Sequence, residues 1–283
     1  MSINTHISNW INKAEPDYYT MFIKAWIPYN AWYMHNFYDE DATPKRTNDK
    51  EIIFYIKNNN NKYKDRIISL LRGTDEISTQ FKSLLSKLHY ELEAHPTPNN
   101  DERIAFTSIC IADNTSRNAT IPGSTHSYKG SVDLSQPRTS PRWIFEVIHK
   151  ISLSTIHRIT LYKCSITELR NNSDYLAITS DEHKNGLEAC LNEINPQKTI
   201  NIVLPPQRKR NGKFSAPPNS ITIDESKSLY FRENYEDIAK AIIQIIYELR
   251  CRLFHGEIDP TNTNSGIFEQ AFNIQKILIK ELQ

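Results

Sequence analysis

The chain is poor in glycine, with only 7 glycines among 283 residues. These glycines form no G-x-G-x-x-G, G-x-x-x-x-G-K or G-x-S-x-G pattern. The first two patterns hold phosphates through backbone N–H groups, and the third places a catalytic serine on a tight turn. The common phosphate-binding loops and the hydrolase nucleophile elbow are therefore excluded.

Cysteine is also sparse, and its spacing carries no metal-binding signature. The four cysteines, at positions 110, 164, 190 and 251, form no CxxC pair, and no two histidines have H-E-x-x-H spacing. A zinc site built from one short stretch is not expected, and we predict neither a metal nor a cofactor. Scattered ligands could still converge in the fold, although His149, His157 and His183 have no visible partners in the sequence. Four isolated thiols are typical of a reducing cytoplasm.

Long apolar runs and an excess of one charge are missing as well. No stretch approaches about 18 uninterrupted apolar residues, so no membrane-spanning helix is predicted. The N-terminal MSINTHISNW lacks the basic-then-apolar order of a signal peptide. Lysine and arginine total 34 against 33 aspartates and glutamates. This balance excludes a broadly polybasic binder, whereas a nuclease needs only a local basic patch.

What the sequence does contain is helical periodicity at both ends. Aromatic residues recur at three- and four-residue steps in 16–38, where Pro28 predicts a kink or a break. Two further helical patterns cover 49–72, interrupted at an Asn run, and 75–94. Helical periodicity returns in a helix that begins at 234, and a last helix is predicted over 266–282.

The middle of the chain has a different texture. One helix is predicted over 180–194 with Ser180 as its N-cap, and the segment 114–141, rich in Ser, Thr and Pro, is predicted to be a long loop. The remaining short apolar runs are typical of β-strands. They lie at Ile104–Ile111, Trp143–Ile148, Ile159–Cys164, Ile200–Leu204, Ile221–Ile223 and Leu229–Phe231.

These textures predict a mainly α fold. The N-terminal helices (1–100) and the C-terminal helices (234–283) would form one helical bundle, with an inserted α+β section (101–233). Neither end alone has enough amphipathic helices to close a bundle, which favours the insertion over a string of three domains.

The residues best suited to chemistry lie near the end of the helix that begins at 234. Asn234 is predicted to cap its start, and Gly256 to end it in the left-handed conformation. Arg250 and His255 are about 140° apart on an ideal helix, but a helix ending near His255 could turn the imidazole back towards Arg250. Arginine can hold a phosphate while histidine transfers protons near neutral pH, so the pair suits metal-free cleavage of RNA by its own 2′-OH. The structural alternative is that both cations complement the helix dipole.

The run Arg250-x4-His255 within YELRCRLFHG resembles the Arg-x(4–6)-His signature of the HEPN superfamily. The segment FIKAWIPYNAWY resembles the aromatic helix that packs beside the signature helix in many bacterial members. The resemblance covers residues 16–95 and 235–283. It implies an HEPN-like helical bundle that needs no metal and forms a homodimer, in which the Arg and His of both protomers line one cleft. Arg250 matches the phosphate-binding Arg, and His255 matches the catalytic His.

The resemblance also implies an activity and partners. Catalytic HEPN proteins are endoribonucleases that leave 2′,3′-cyclic phosphate and 5′-hydroxyl ends, and many serve in anti-phage defence or as toxins of toxin–antitoxin pairs. The expected partners are RNA, with tRNA and mRNA not distinguished, and an antitoxin or defence protein. Cys251 stands where the family commonly has Asn. The alternative is therefore a non-catalytic HEPN module that binds RNA or a protein, and a third reading is a metal-dependent nuclease with convergent ligands.

Other polar residues have two readings each. Arg252 either contacts RNA or is a solvated helix residue. Glu248 either supports the site or is a surface charge or part of an intersubunit ion pair, and its position two residues before Arg250, on another face of the helix, favours the second reading. Asn30 either points into the cleft or satisfies carbonyls freed by a kink at Pro28. A basic run either binds phosphates or forms a solvated, exposed turn. It consists of Arg208, Lys209, Arg210 and Lys213.

Overall fold

The computed structural model describes residues 7, 16–95, 103–210, 212 and 214–282. The chain divides into two compact units. Unit 1 consists of Met1–Ile111 and Asn201–Gln283, and unit 2 is the continuous segment Ala112–Ile200. The domain boundaries predicted at 100/101 and 233/234 stay predictions, and the division into compact units falls at 111/112 and 200/201.

The described residues form nine α-helices and nine strands, so the fold is mixed α/β rather than mainly α. The helices are α1 (Tyr18–Phe37), α2 (Asp49–Asn58), α3 (Lys62–Arg72), α4 (Glu76–Ala94), α5 (Ile166–Asn171), α6 (Ser173–Leu176), α7 (Asp181–Ile194), α8 (Tyr235–Phe254) and α9 (Asn262–Ile279). A 3-10 turn, Lys280–Leu282, follows α9. Within the described ranges, no helix is long and apolar enough to cross a membrane.

The strands are short and antiparallel. They are β1 (Asn118–Pro122), β2 (His126–Val132), β3 (Trp143–His149), β4 (Thr155–Leu161), β5 (Val203–Leu204), β6 (Gln207–Arg208), β7 (Phe214–Ser215), β8 (Ser220–Asp224) and β9 (Leu229–Arg232). In unit 2 they form one sheet of order β1-β2-β3-β4. In unit 1 they form a three-stranded sheet of order β5-β9-β8 and the β6–β7 hairpin.

The aromatic helix α1 lies in the core of unit 1. Phe22, Trp26, Tyr29 and Tyr33 are all buried, and the ring of Tyr29 stacks on that of Tyr63 in α3 with centroids 4.1 Å apart. Helix α9 packs against α1 and α4, while α8 packs against α2 and α3. The N-terminal and C-terminal helices therefore share one core.

The break predicted at Pro28 does not occur, because α1 is helical from Tyr18 to Phe37, and a kink there stays a prediction. Proline removes the hydrogen bond to the carbonyl of Lys24. Both Pro28 and Lys24 are exposed, so the unbonded carbonyl lies on the solvent side of the helix. The buried aromatic residues on the other side hold the helix together across the proline.

Several predicted strands and helix ends need correction. The run Ile104–Ile111 forms no strand and contributes only bridge positions, at Ala105, Ser108 and Ile109, of which Ala105 pairs with Ser108. The run Ile200–Leu204 shortens to β5, and the last helix begins at Asn262 rather than at 266. The interruption of 49–72 at the Asn run is confirmed, because Asn61 caps the start of α3 by accepting the Lys64 N–H at 3.0 Å.

The loop predicted over 114–141 is wrong, because β1 and β2 lie within it. In β2, buried Tyr128 and Gly130 alternate with polar side chains that face the other side of the sheet. The strand was predicted to be a loop because its composition is mostly polar and small. The alternation of buried and less buried positions nevertheless has the two-residue period of a strand. Helix α7 covers the face that carries Tyr128, and the predicted cap Ser180 is confirmed at its start.

Candidate functional site

Both ends of α8 have the capping residues that the sequence predicts. Asn234 accepts the Asp237 N–H at 3.1 Å and donates its amide to the Asp237 carboxylate at 2.6 Å, which confirms the cap. At the other end, Gly256 has φ +68° and donates its N–H to the Leu253 carbonyl at 3.3 Å. Glu257 donates to the Arg252 carbonyl at 2.9 Å. These two bonds form a Schellman motif, which places His255 at the C-cap.

Arg250 lies one turn before this end and is held by its neighbours. Its Nη2 forms an ion pair with Oδ2 of Asp49 at 2.9 Å, and the guanidinium lies 4.6 Å from the ring centroid of Phe254 and 5.7 Å from that of Trp26. The Arg250 side chain is 22% exposed. Its Nε is buried and has no hydrogen-bond partner among the described residues. The guanidinium is thus positioned, and one of its donors has no acceptor.

Asp49 links Arg250 to α1. Its Oδ1 accepts a hydrogen bond from the Tyr33 hydroxyl at 2.8 Å and lies 3.4 Å from the Asn30 amide nitrogen. The Asn30 amide also donates to the Tyr33 hydroxyl. Burial raises the pKa of Tyr33 above its ordinary value, so the hydroxyl stays protonated and acts as a donor. Asn30 therefore belongs to the Asp49 network and does not satisfy carbonyls freed at Pro28.

Sequence reasoning missed Asp49. The available signal was an acidic residue directly after the N-cap Asn48, which is the usual place for a carboxylate at the positive end of a helix. Its contact with Arg250 joins positions 201 residues apart and arises only in the folded chain. The approach of α2 to α8 creates it.

His255 has a different environment from Arg250. Its side chain is exposed, and it forms no hydrogen bond or ion pair with any residue that the structure describes. The helix ends near His255 as predicted, but the imidazole does not turn back to bond Arg250 within one chain. One protomer therefore offers a positioned cation and an exposed imidazole at the same helix end.

The supporting residues on α8 are more buried than predicted. Arg252 is only 8% exposed, which rules out the reading as a solvated helix residue. Glu248 is half-buried and accepts a hydrogen bond from the Gln244 amide at 2.7 Å. Gln244 in turn accepts a hydrogen bond from Lys57, which is 6% exposed. Glu248 thus belongs to a chain of polar contacts between α2 and α8 and is not a simple surface charge.

Cys251 lies between Arg250 and Tyr247. Arg250 Nη1 is 4.0 Å from the Cys251 sulfur. Burial, together with a hydrogen bond to Cys251, raises the pKa of the Tyr247 hydroxyl. Cys251 therefore fills a packed position beside the guanidinium rather than an open one.

The basic run lies on the β6–β7 hairpin. Arg208, Lys209 and Arg210 are all exposed, and Gly212 closes the turn by donating its N–H to the Lys209 carbonyl at 2.9 Å. Lys213 lies outside the described residues. The structure thus agrees with an exposed turn, and its binding of RNA stays a prediction.

The histidines of unit 2, which show no partners in the sequence, lie together in the fold. The ring centroids of His126 and His183 are 4.7 Å apart, those of His126 and His149 5.3 Å, and those of His157 and His183 5.8 Å. We call these four residues the imidazole cluster. As the side chains are placed, no group of three or more His, Cys, Asp or Glu residues in the described ranges is arranged to hold a metal ion.

No protein-family model, no curated protein and no solved structure matches this chain. The resemblance to HEPN proteins therefore stays an expectation that rests on residues 16–95 and 235–283.

Proposed function

We propose that the chain is a metal-independent, HEPN-type endoribonuclease that acts as a homodimer in the cytoplasm, in anti-phage defence or as the toxin of a toxin–antitoxin pair. The observation that carries this proposal is the end of α8. There a Schellman motif presents an exposed, unbonded His255 five residues after a positioned Arg250. Both side chains have the chemistry that phosphodiester cleavage requires.

In this mechanism Arg250 holds the scissile phosphate and His255 transfers protons. The 2′-hydroxyl of RNA loses its proton to a neutral imidazole and attacks the phosphorus, forming the O2′–P bond. The P–O5′ bond breaks, and the 5′ oxygen takes up a proton from the imidazolium formed in the first step, which restores the neutral imidazole. The products are a 2′,3′-cyclic phosphate and a 5′-hydroxyl. Asp49 orients the guanidinium and is a positioning residue.

The arrangement of the pair on α8 supports a dimer. Arg250 and His255 are about 140° apart around the helix axis. Arg250 points towards Asp49, whereas the His255 side chain is exposed. Two copies of α8 meeting at their C-terminal ends would allow the histidine of one protomer to complement the arginine of its partner.

The Arg250–Asp49 ion pair favours a second candidate function. A guanidinium that is already neutralised attracts phosphate less strongly, and Cys251 replaces the polar residue that is common after the arginine. A non-catalytic HEPN module that binds RNA or a protein would be compatible with both features.

One experiment separates the two functions. Purified wild-type protein, Arg250→Ala and His255→Ala are incubated with total RNA, and the products are assayed for 2′,3′-cyclic phosphate ends. Loss of the histidine should slow cleavage by about 10²- to 10⁴-fold, and EDTA should have little effect. His35→Ala is the matched control, because His35 is another exposed histidine in the last turn of a helix.

Circular dichroism and size-exclusion chromatography must show that the variants are folded and have the wild-type oligomeric state. Undiminished cleavage by the His255→Ala variant would contradict the proposed mechanism. Binding of RNA by the wild-type protein without any cyclic phosphate would instead support the non-catalytic module.

A further inference from the structure

The register of the unit 2 sheet explains why the imidazole cluster forms. His126 on β2 lies directly opposite His149 on β3, and His157 on β4 lies opposite Val147. Because side chains alternate along a strand, these three histidines share the face that α7 covers. His183, in the first turn of α7, is brought over the same end of that face, within 6.0 Å of the Tyr128 ring between centroids.

Two nitrogen atoms of the cluster have the spacing of metal ligands. His126 Nδ1 and His183 Nε2 are 3.4 Å apart. Two imidazole nitrogens bound at 2.0–2.1 Å to one tetrahedral zinc ion lie about 3.4 Å from each other. The distance between these two nitrogens, which is also within hydrogen-bond range, therefore matches that of two ligands around a single ion.

The other two histidines differ in their availability. The Nδ1 atom of His149 lies 3.2 Å from the Ser152 backbone N–H donor and 3.0 Å from its hydroxyl. An Nδ1 that accepts from a backbone N–H leaves the ring hydrogen on Nε2, so neither nitrogen of His149 is free to bind a metal. His157 forms no hydrogen bond with the described residues, and its ring centroid lies 5.8 Å from that of His183.

We propose that unit 2 contains a binding site for a divalent transition-metal ion of the zinc class, formed by His126, His157 and His183. His157 completes the site by rotating its side chain, since only the other two nitrogens have ligand spacing as placed. Three imidazoles leave the fourth tetrahedral position to water. Thr125, whose hydroxyl lies 2.8 Å from His126 Nδ1, must turn aside when the metal binds.

The test is calorimetric titration of the untagged full-length protein with Zn²⁺ alone at pH 7.5. We expect one ion per chain, bound at micromolar concentration or below. His126→Ala, His157→Ala and His183→Ala should each weaken binding at least tenfold. His149→Ala is the matched control from the same cluster and should bind within about threefold of wild type, because His149 contributes no free nitrogen.

Two results would overturn the proposal. One is the absence of stoichiometric binding to wild-type protein, and the other is equal loss of affinity in His149→Ala and His183→Ala. The Co²⁺ absorption spectrum of the wild-type protein tests the same point without any substitution. Intense tetrahedral bands are expected, and a weak octahedral spectrum would contradict the site. These measurements do not depend on RNA cleavage, so they test the metal site independently of the proposed nuclease activity.

Discussion

The ion pair between Asp49 and Arg250 should couple the stability of α2 to that of α8, and the coupling can be measured. Two unit charges 4 Å apart interact by about 1 kcal/mol in water and about 4 kcal/mol at an effective dielectric constant near 20. The two side chains are 26% and 22% exposed, so the pair lies between these limits. After desolvation is subtracted, we expect a coupling energy of about 1–2 kcal/mol, above the 0.2–1 kcal/mol of exposed pairs.

The single substitution Asp49→Ala should cost more than the coupling itself. It leaves the half-buried guanidinium of Arg250 without a counterion and removes the acceptor of the Tyr33 hydroxyl. A lost hydrogen bond of this kind is worth about 1 kcal/mol. The free energy of unfolding of unit 1 should therefore fall by about 2–3 kcal/mol.

The assay is a double-mutant cycle with Asp49→Ala, Arg250→Ala and the combination. Urea unfolding is followed by far-ultraviolet circular dichroism and fitted with one transition for each unit. The exposed pair Glu193–Lys198, 2.8 Å apart with side chains 50% and 39% exposed, is the matched control and should give no more than about 1 kcal/mol. A coupling below about 0.3 kcal/mol for the first pair would mean that the two sites are independent and would refute the reasoning.

Burial lowers the pKa of His89 in the folded protein. As the pH falls, His89 is therefore protonated in the unfolded chain before it is protonated in the folded one. The free energy of unfolding should fall as the pH drops below about 6.5 towards the lower folded-state pKa. His89→Gln should flatten the dependence of urea midpoints on pH between 7 and 5, and an unchanged slope would contradict this. Gly186→Ala would place its Cβ 2.3 Å from the Tyr128 ring, whereas Gly256→Ala meets no atom within 4 Å and costs only about 1 kcal/mol of left-handed strain. Thermal melts should therefore rank Gly186→Ala as the more damaging change.

The helix boundaries could be predicted where a local hydrogen bond fixes them. Asn234, Ser180 and Gly256 act through backbone groups within three residues, so the neighbouring sequence contains the whole signal. Pro28 shows the limit of local rules. The free-energy cost of a proline inside a helix depends on whether the unbonded carbonyl faces solvent. In α1 that carbonyl is on the exposed side, and burial of aromatic residues on the opposite side keeps the segment helical.

The strands were harder to predict because pairing partners lie far along the chain. β2 contains Lys129 and three small residues, and it is held by neighbouring strands rather than by its own composition. The run Ile104–Ile111 shows the reverse case, since it is apolar enough for a strand but is buried without forming a ladder. The strand propensity of a residue reflects how well its side chain packs on a half-buried sheet, and the neighbouring strands that make this sheet are present only in the folded chain.

The candidate sites divide in the same way. Arg250 and His255 could be identified from one stretch of sequence because they share a helix end. Asp49 and the imidazole cluster could not, because their members come from separate elements that converge only through packing or strand register. Single histidines that look unpartnered in a sequence therefore need the fold before they are dismissed.

The division of the chain has a consequence for its synthesis. Helices α1–α4 emerge before unit 2, but α8 and α9, which pack against them, follow only after unit 2 has been translated. At 5–20 residues per second, translation of the 112–200 segment takes about 4–18 s. During that interval the apolar faces of the first helices are uncovered, while unit 2 can already fold as one continuous piece. Helices α1–α4 are therefore the segment that we expect a chaperone to hold on the ribosome, and Arg250 acquires its counterion Asp49 only after unit 2 has been translated.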